Sequence, residues 1–132
     1  MIEMTVIAGY IPTPEGEAAL EEATREAERR GVELVVLNSA RREAYVDDRY
    51  AQDSQWQAIE ERLGQSGIRF RLLRPESTND TATDLIEAAQ QYRADLLVIG
   101  LRRRSAVGKL ILGSTAQRVL LQAPCPVLAV KP

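Results

Sequence analysis

DLLVIGLRRRSAVGKLILGSTAQRVLLQAPCPVLAVKP, residues 95–132, is the stretch that decides the fold. Asp95 to Ile99 is a short apolar run that stops at Gly100, as a strand buried on both faces would. A loop then leads to Gly113-Ser114-Thr115, where a helix starts and runs to about Leu121. Pro126 to Val130 is a second apolar run and reads as the closing strand. Strand, loop, helix and strand in this order form the repeating unit of a parallel α/β sheet.

Working toward the N-terminus, the same alternation continues. Thr5 to Gly9 (TVIAG) is a β-branched run that ends at a glycine. Thr13 and Pro14 suit the N-cap and first position of a helix from Glu15 to Arg30, with Ala18, Ala19, Ala23 and Ala27 at helical spacing before Gly31. Glu33 to Leu37 (ELVVL) reads as another buried strand, and Asn38 to Asp48 is irregular and polar. A helix from about Arg49 to Leu63 carries Trp56, Ile59 and Leu63 on one face and is closed by Gly64 and Gly67. Ile68 to Leu73 (IRFRLL) alternates like a strand with one face less buried. Ser77 to Asp80 offers several caps, and Thr81 with Asp84 has capping-box spacing for a helix through Tyr92. The expected architecture is therefore α/β: a single domain over residues 1–132, with five parallel strands and helices on both faces.

The 132 residues match the commonest size of one domain, roughly 100–150 residues. A hydrophobic share of 45% and a charged share of 27% are those of a chain that folds around its own core. The net charge of −2 argues against a dedicated nucleic-acid binder. No apolar run approaches the roughly 20 residues of a membrane span, and the first residues carry no basic, signal-like segment. A cytoplasmic location is the expectation. The sequence contains no histidine, which excludes Ser-His-Asp triads and imidazole bases. The lone Cys125, between two prolines, reads as a buried small hydrophobe.

In an open parallel sheet, ligands bind beyond the carboxyl ends of the strands, where strand order reverses. Here that place brings the loop after Gly100 toward Gly9 and Ser39. Gly100 directly after a strand would allow close approach of a ligand and tolerate positive φ. Gly113, Ser114 and Thr115 at a helix start offer free N–H groups and the positive end of the helix dipole to a phosphate. They are equally consistent with Ser114 as a plain helix cap. Arg102, Arg103, Arg104 and Lys109 are either a solvated charge run or guanidinium and ammonium groups placed for phosphate.

These residues resemble the universal stress protein family. The family's nucleotide signature is Gly, two residues, Gly, nine residues, then Gly followed by Ser or Thr. Gly100, Gly113 and Ser114 stand at its positions, and Ala123 to Lys131 (APCPVLAVK) reads like the family's last strand. Weaker similarity at the Glu17-Ala18-Ala19-Leu20 helix and at Asn79 to Ala89 extends the resemblance over nearly the whole chain. It implies a three-layer open sheet of order 3-2-1-4-5, of the adenine-nucleotide alpha-hydrolase-like architecture. It also implies a homodimer through the edge Pro126, Val127, Leu128, Ala129 and Val130, an edge that physics also expects to be covered. Nucleotide, ATP or AMP, would lie across Gly9, Tyr10, Ile11, Ser39, Ile99 and Gly100. Its phosphates would meet Arg103, Gly113, Ser114 and Thr115, with magnesium only if ATP is bound.

Two positions depart from the family pattern. Arg103 replaces the second glycine, and Ile11, or Tyr10 with a one-residue shift, stands where an acidic residue usually ends the first strand. Tyr10 suits either a stack on a base or a lid over the sheet end. The resemblance thus implies a stress-response binding module with an adenine-nucleotide pocket, at most a weak ATPase. The alternative is a dimeric interaction protein that has lost the nucleotide. Neither a nucleic acid nor a membrane is expected as partner, and no protein partner other than itself is indicated.

Overall fold

A computed structural model describes residues 3–41, 53–77, 79–102 and 112–132. Its elements are β1 (Thr5–Gly9), α1 (Pro14–Arg30), β2 (Glu33–Leu37), β3 (Ala40–Arg41), α2 (Asp53–Ser66), β4 (Phe70–Leu73), β5 (Glu76–Ser77), α3 (Thr81–Gln91), β6 (Ala94–Gly100), α4 (Ser114–Gln122) and β7 (Val127–Val130). Five strands form one all-parallel sheet in the order β4-β2-β1-β6-β7, which is 3-2-1-4-5 when these strands are counted along the chain. The short β3 and β5 pair with each other in a separate parallel ladder.

The apolar runs are buried on both faces because each strand presents alternate residues to two helical layers. Val6, Ala8, Leu34, Val36, Leu96 and Val98 pack against Ala19, Leu20 and Ala23 of α1 and Ile59 and Leu63 of α2. Ile7, Val35, Leu37, Leu97 and Ile99 pack against Leu85, Ala88 and Ala89 of α3 and Val119 of α4. The edge strand β4 keeps the expected alternation: Phe70 and Leu72 face the first layer, while the exposed Arg71 lies 5.4 Å from the centre of the Tyr92 ring.

Several boundaries differ from the sequence expectation. Gly64 lies within α2, which continues to Ser66 and ends at Gly67, whose φ is +80°. Residues 49–52, where that helix was expected to begin, lie outside the described residues. Thr81 does not cap α3. Asp80 does, its carboxylate accepting from the Thr83 N–H at 2.8 Å, and Asp84 accepts instead from the Ser39 hydroxyl. Pro126 falls just before β7, although its carbonyl already accepts from the Leu97 N–H at 3.0 Å. At the start of α1 the expectation holds: Thr13 is the N-cap, its hydroxyl accepting from the Gly16 N–H at 3.1 Å, with Pro14 at the first helical position.

Candidate functional site

The carboxyl ends of β1 and β6 open on a cleft of about 190 Å³ lined by Ile11, Thr13, Glu15, Thr81, Ile99, Gly100, Leu101, Arg102, Gly113, Thr115 and Ala116. It sits at the reversal of strand order, because β1 continues the sheet to β2 on one side and to β6 on the other. Of the residues expected at a ligand, Ile11, Ile99, Gly100, Gly113 and Thr115 come together here. Ser114 stands beside them, exposed, as the first residue of α4. Arg103 lies outside the described residues, as do Arg104 and Lys109.

The start of α4 faces the cleft without a side-chain cap. Gly113 is the N-cap of α4 and makes no side-chain cap hydrogen bond; a helix start of this kind carries amides without intrahelical partners and the positive end of the helix dipole. The alternative of Ser114 as the cap is thereby set aside, since Ser114 already lies inside the helix. What orients α4 is Arg118. Its guanidinium donates to both Asp80 oxygens, at 2.8 and 2.6 Å, and to the Thr83 hydroxyl at 3.0 Å, tying α4 to the first turn of α3. The same contacts hold the Asp80 carboxyl below its ordinary pKa, the hydrogen bonds from Thr83 first and the Arg118 charge after them.

Gly100 has a different reason to be glycine than positive φ, which among the described glycines is confined to Gly31 and Gly67. A Cβ at Gly100 would lie 2.2 Å from the Glu15 carbonyl oxygen and 2.6 Å from its carbon. Gly16 is under the same constraint, with a Cβ falling 1.8 Å from the Ile11 carbonyl oxygen. The two glycines press the β1–α1 turn and the first turn of α1 flat against the end of β6. That contact makes the floor of the cleft, and it brings Glu15 into it.

The remaining expected residues lie elsewhere. The Tyr10 ring is 3% exposed in the core beneath α1 and α2, tilted 42° to the Trp56 ring with centroids 6.4 Å apart. Its hydroxyl donates to Glu17 Oε1 at 2.8 Å, and burial first, then this carboxylate, pushes its pKa well above the usual tyrosine range. Ser39 is buried with its hydroxyl on Asp84. Gly9 faces Leu85 of α3, whose Cδ2 would lie 3.2 Å from an added Cβ. Three contributors were not singled out from the sequence. Thr81 and Glu15 line the cleft, and the fully buried Asn38 donates from its side-chain amide to the Tyr10 carbonyl at 2.9 Å, fixing where β1 ends. The glycine pair Gly16 and Gly100 was the available signal for Glu15, since close backbone approach buries whatever lies between.

Among the described residues there is no cluster of three metal-ligating side chains and no helix long and apolar enough to cross a membrane. Cys125 is half-buried against the second core layer rather than fully buried, and burial, then the Asp95 charge, raises its thiol pKa. A thiol so placed is a packing group, not a nucleophile.

Sheet order and helices on both faces define a doubly wound α/β protein, with the start of α4 at the reversal point of the sheet. The chain belongs to the universal stress protein family, whose model matches residues 4–131. A universal stress protein of Mycolicibacterium smegmatis is 45% identical over 127 residues, spanning 96% of this chain and 97% of that protein. The solved structure of a universal stress protein from Archaeoglobus fulgidus matches with a TM-score of 0.81 at 27% identity, over 99% of this chain and 100% of that one. A universal stress protein structure from the same organism, in complex with dAMP, matches with a TM-score of 0.70 at 24% identity, over 99% and 100% of the two chains.

Proposed function

We propose that this protein is a stress-response binding module of the cytoplasm that holds an adenine nucleotide in the cleft between β1, β6 and α4. The observation that carries the reading is the uncapped start of α4 at Gly113, opening on a cleft floored by Gly100 and walled by Ile11 and Ile99. Phosphate oxygens would take the amides of Ser114, Thr115 and Ala116, and Arg102 stands on the same cleft as a cation. The apolar Ile11 and Ile99 suit the face of a base. A protein of the same fold holds dAMP, which supports an adenine nucleotide as the ligand. AMP and ATP are the nucleotides to test, with magnesium accompanying the triphosphate alone. Hydrolysis needs an oriented water as well as bound phosphate, so it would at most be slow.

The module would act as a homodimer joined along β7. This strand lies at the edge of the sheet, and its four side chains are already packed on the two core layers. What remains free is the outward backbone, and Leu120 and the 84%-exposed Leu121 of α4 add exposed apolar surface. A second reading, a dimeric interaction protein without nucleotide, is favoured by Arg103 in place of the signature's second glycine and by Ile11, an apolar side chain where base or ribose recognition would use an acceptor. Calorimetric titration of nucleotide-stripped protein with AMP, ATP and cyclic AMP separates the two. Saturable binding of any of them, weakened by Ser114→Pro, which removes a phosphate-facing amide while proline suits the first helical position, supports the first. No heat with any, at millimolar ligand, leaves the second.

A further inference from the structure

Among the described residues lining the cleft, Glu15 is the one acidic side chain, and its residue is only 6% exposed. Carboxylates buried to this degree are ordinarily paired. Glu15 makes no hydrogen bond or ion pair with any described residue. No polar side-chain atom among the described residues is both fully enclosed and without a partner. Its carboxylate oxygens therefore keep the small accessible surface the residue has, and the cleft is the opening that Glu15 borders. The backbone contact with Gly100 holds it there, because the Glu15 carbonyl and Cβ lie against that glycine.

We infer that Glu15 reads the sugar: its carboxylate accepts the ribose hydroxyls of the bound nucleotide and so selects a ribonucleotide over its deoxy analogues. The inference rests on the nucleotide reading above and adds to it a recognition group and a ligand orientation. A carboxylate is an acceptor only and can bridge two neighbouring hydroxyls. It repels phosphate, while the α4 N-terminus and Arg102 attract it. The cleft is thereby polarised, with hydroxyl donors drawn to the α1 side and phosphate to the α4 side. The recognition missing from Ile11 is supplied from four residues further on, in the first turn of the next helix.

The test compares AMP, 2′-deoxy-AMP and 2′,3′-dideoxy-AMP by titration calorimetry against the wild type, Glu15→Gln and Glu15→Ala. The wild type is expected to bind AMP about tenfold tighter than dideoxy-AMP, the discrimination of charge-assisted hydrogen bonds to one diol. Glu15→Ala is expected to bind both alike, at the dideoxy level, and Glu15→Gln to retain a few-fold preference. Circular dichroism and thermal melting establish that the variants are folded. If Glu15→Ala does not fold, the wild-type ratio and the isosteric Gln variant still decide. Equal wild-type affinity for AMP and dideoxy-AMP overturns the inference and leaves the nucleotide reading intact, as does discrimination that survives Glu15→Ala. Absence of wild-type binding to all three overturns both, and is read without any variant.

Discussion

Replacing Gly100 by alanine should destabilise the protein although it adds one methyl group and removes no contact. The new Cβ would sit 2.2 Å from the Glu15 carbonyl oxygen and 2.6 Å from its carbon, against an ordinary contact that begins near 3.4 Å. The first turn of α1 and the end of β6 must then separate by roughly 1 Å, in keeping with how tightly interiors are packed. Both partners are backbone, so no rotamer change relieves the overlap. Overpacking of this kind costs about 3 kcal/mol at the upper end of its range. The lower entropy of the unfolded alanine chain returns roughly 0.5–1 kcal/mol, leaving a net loss of about 2 kcal/mol. For 132 residues the unfolding entropy is roughly 0.28 kcal/mol/K, so the melting temperature should fall by ~7 °C. Gly64→Ala is the control: Gly64 lies inside α2 with open space around it, so the variant should gain ~0.5–1 kcal/mol. Both are measured by thermal melts followed by circular dichroism, with urea titration for ΔG. A Gly100→Ala melting temperature within 2 °C of wild type would refute the close-packing account of that glycine.

Tyr10→Phe keeps the buried ring beside Trp56 and loses the hydroxyl bond to Glu17, so urea titration should show a loss of about 1 kcal/mol. In the wild type, ultraviolet titration should find Tyr10 still protonated at a pH where an ordinary tyrosine has ionised, and that signal should be missing from the Phe variant. Asp80 has a folded pKa below its unfolded value, so its stabilisation is present above the unfolded value, near 4, and is lost as pH falls through the folded one. The melting temperature of Asp80→Ala should therefore approach that of wild type between about pH 5 and pH 2, with the difference fully present at neutral pH; a pH-independent gap would show that the charge plays no part. Ala129→Pro tests the dimer. The carbonyls of Pro126 and Val130 accept from β6, so by alternation the N–H of Ala129 points to the open edge. Proline there should spare the fold and convert a sedimenting dimer to monomer, and a persistent dimer would place the interface elsewhere.

The fold was legible from the sequence because its strands are buried on both sides. Runs such as ELVVL (Glu33–Leu37) and DLLVI (Asp95–Ile99) have no polar face, and only a parallel sheet covered by two helical layers accommodates them. Helix ends were less legible. Of the caps offered by Ser77 to Asp80, Asp80 is the one used, and its carboxylate is also held by Arg118, 38 positions away. No local pattern carries that. Gly64 misled for the opposite reason: glycine ends a helix only where the backbone turns to positive φ, and that turn falls at Gly67.

At the site, the glycines and the strand ends were legible in the sequence, whereas Glu15 and Thr81, delivered by the first turns of α1 and α3, were not. Gly100 marks the cleft by lacking a Cβ, a property the sequence states outright. Tyr10 was placed near the ligand because it follows β1, yet the chain turns there so that its ring enters the core, anchored by Glu17 and by the Asn38 amide on its carbonyl. The turn that removes Tyr10 from the cleft is the one that delivers Glu15 to it. With Ile11 fixed against Gly16, and Glu15 against Gly100, an acidic group returns to the cleft although none stands at the end of β1. Loss of the carboxylate at one position is therefore no argument for loss of the ligand until the first turn of α1 has been tested.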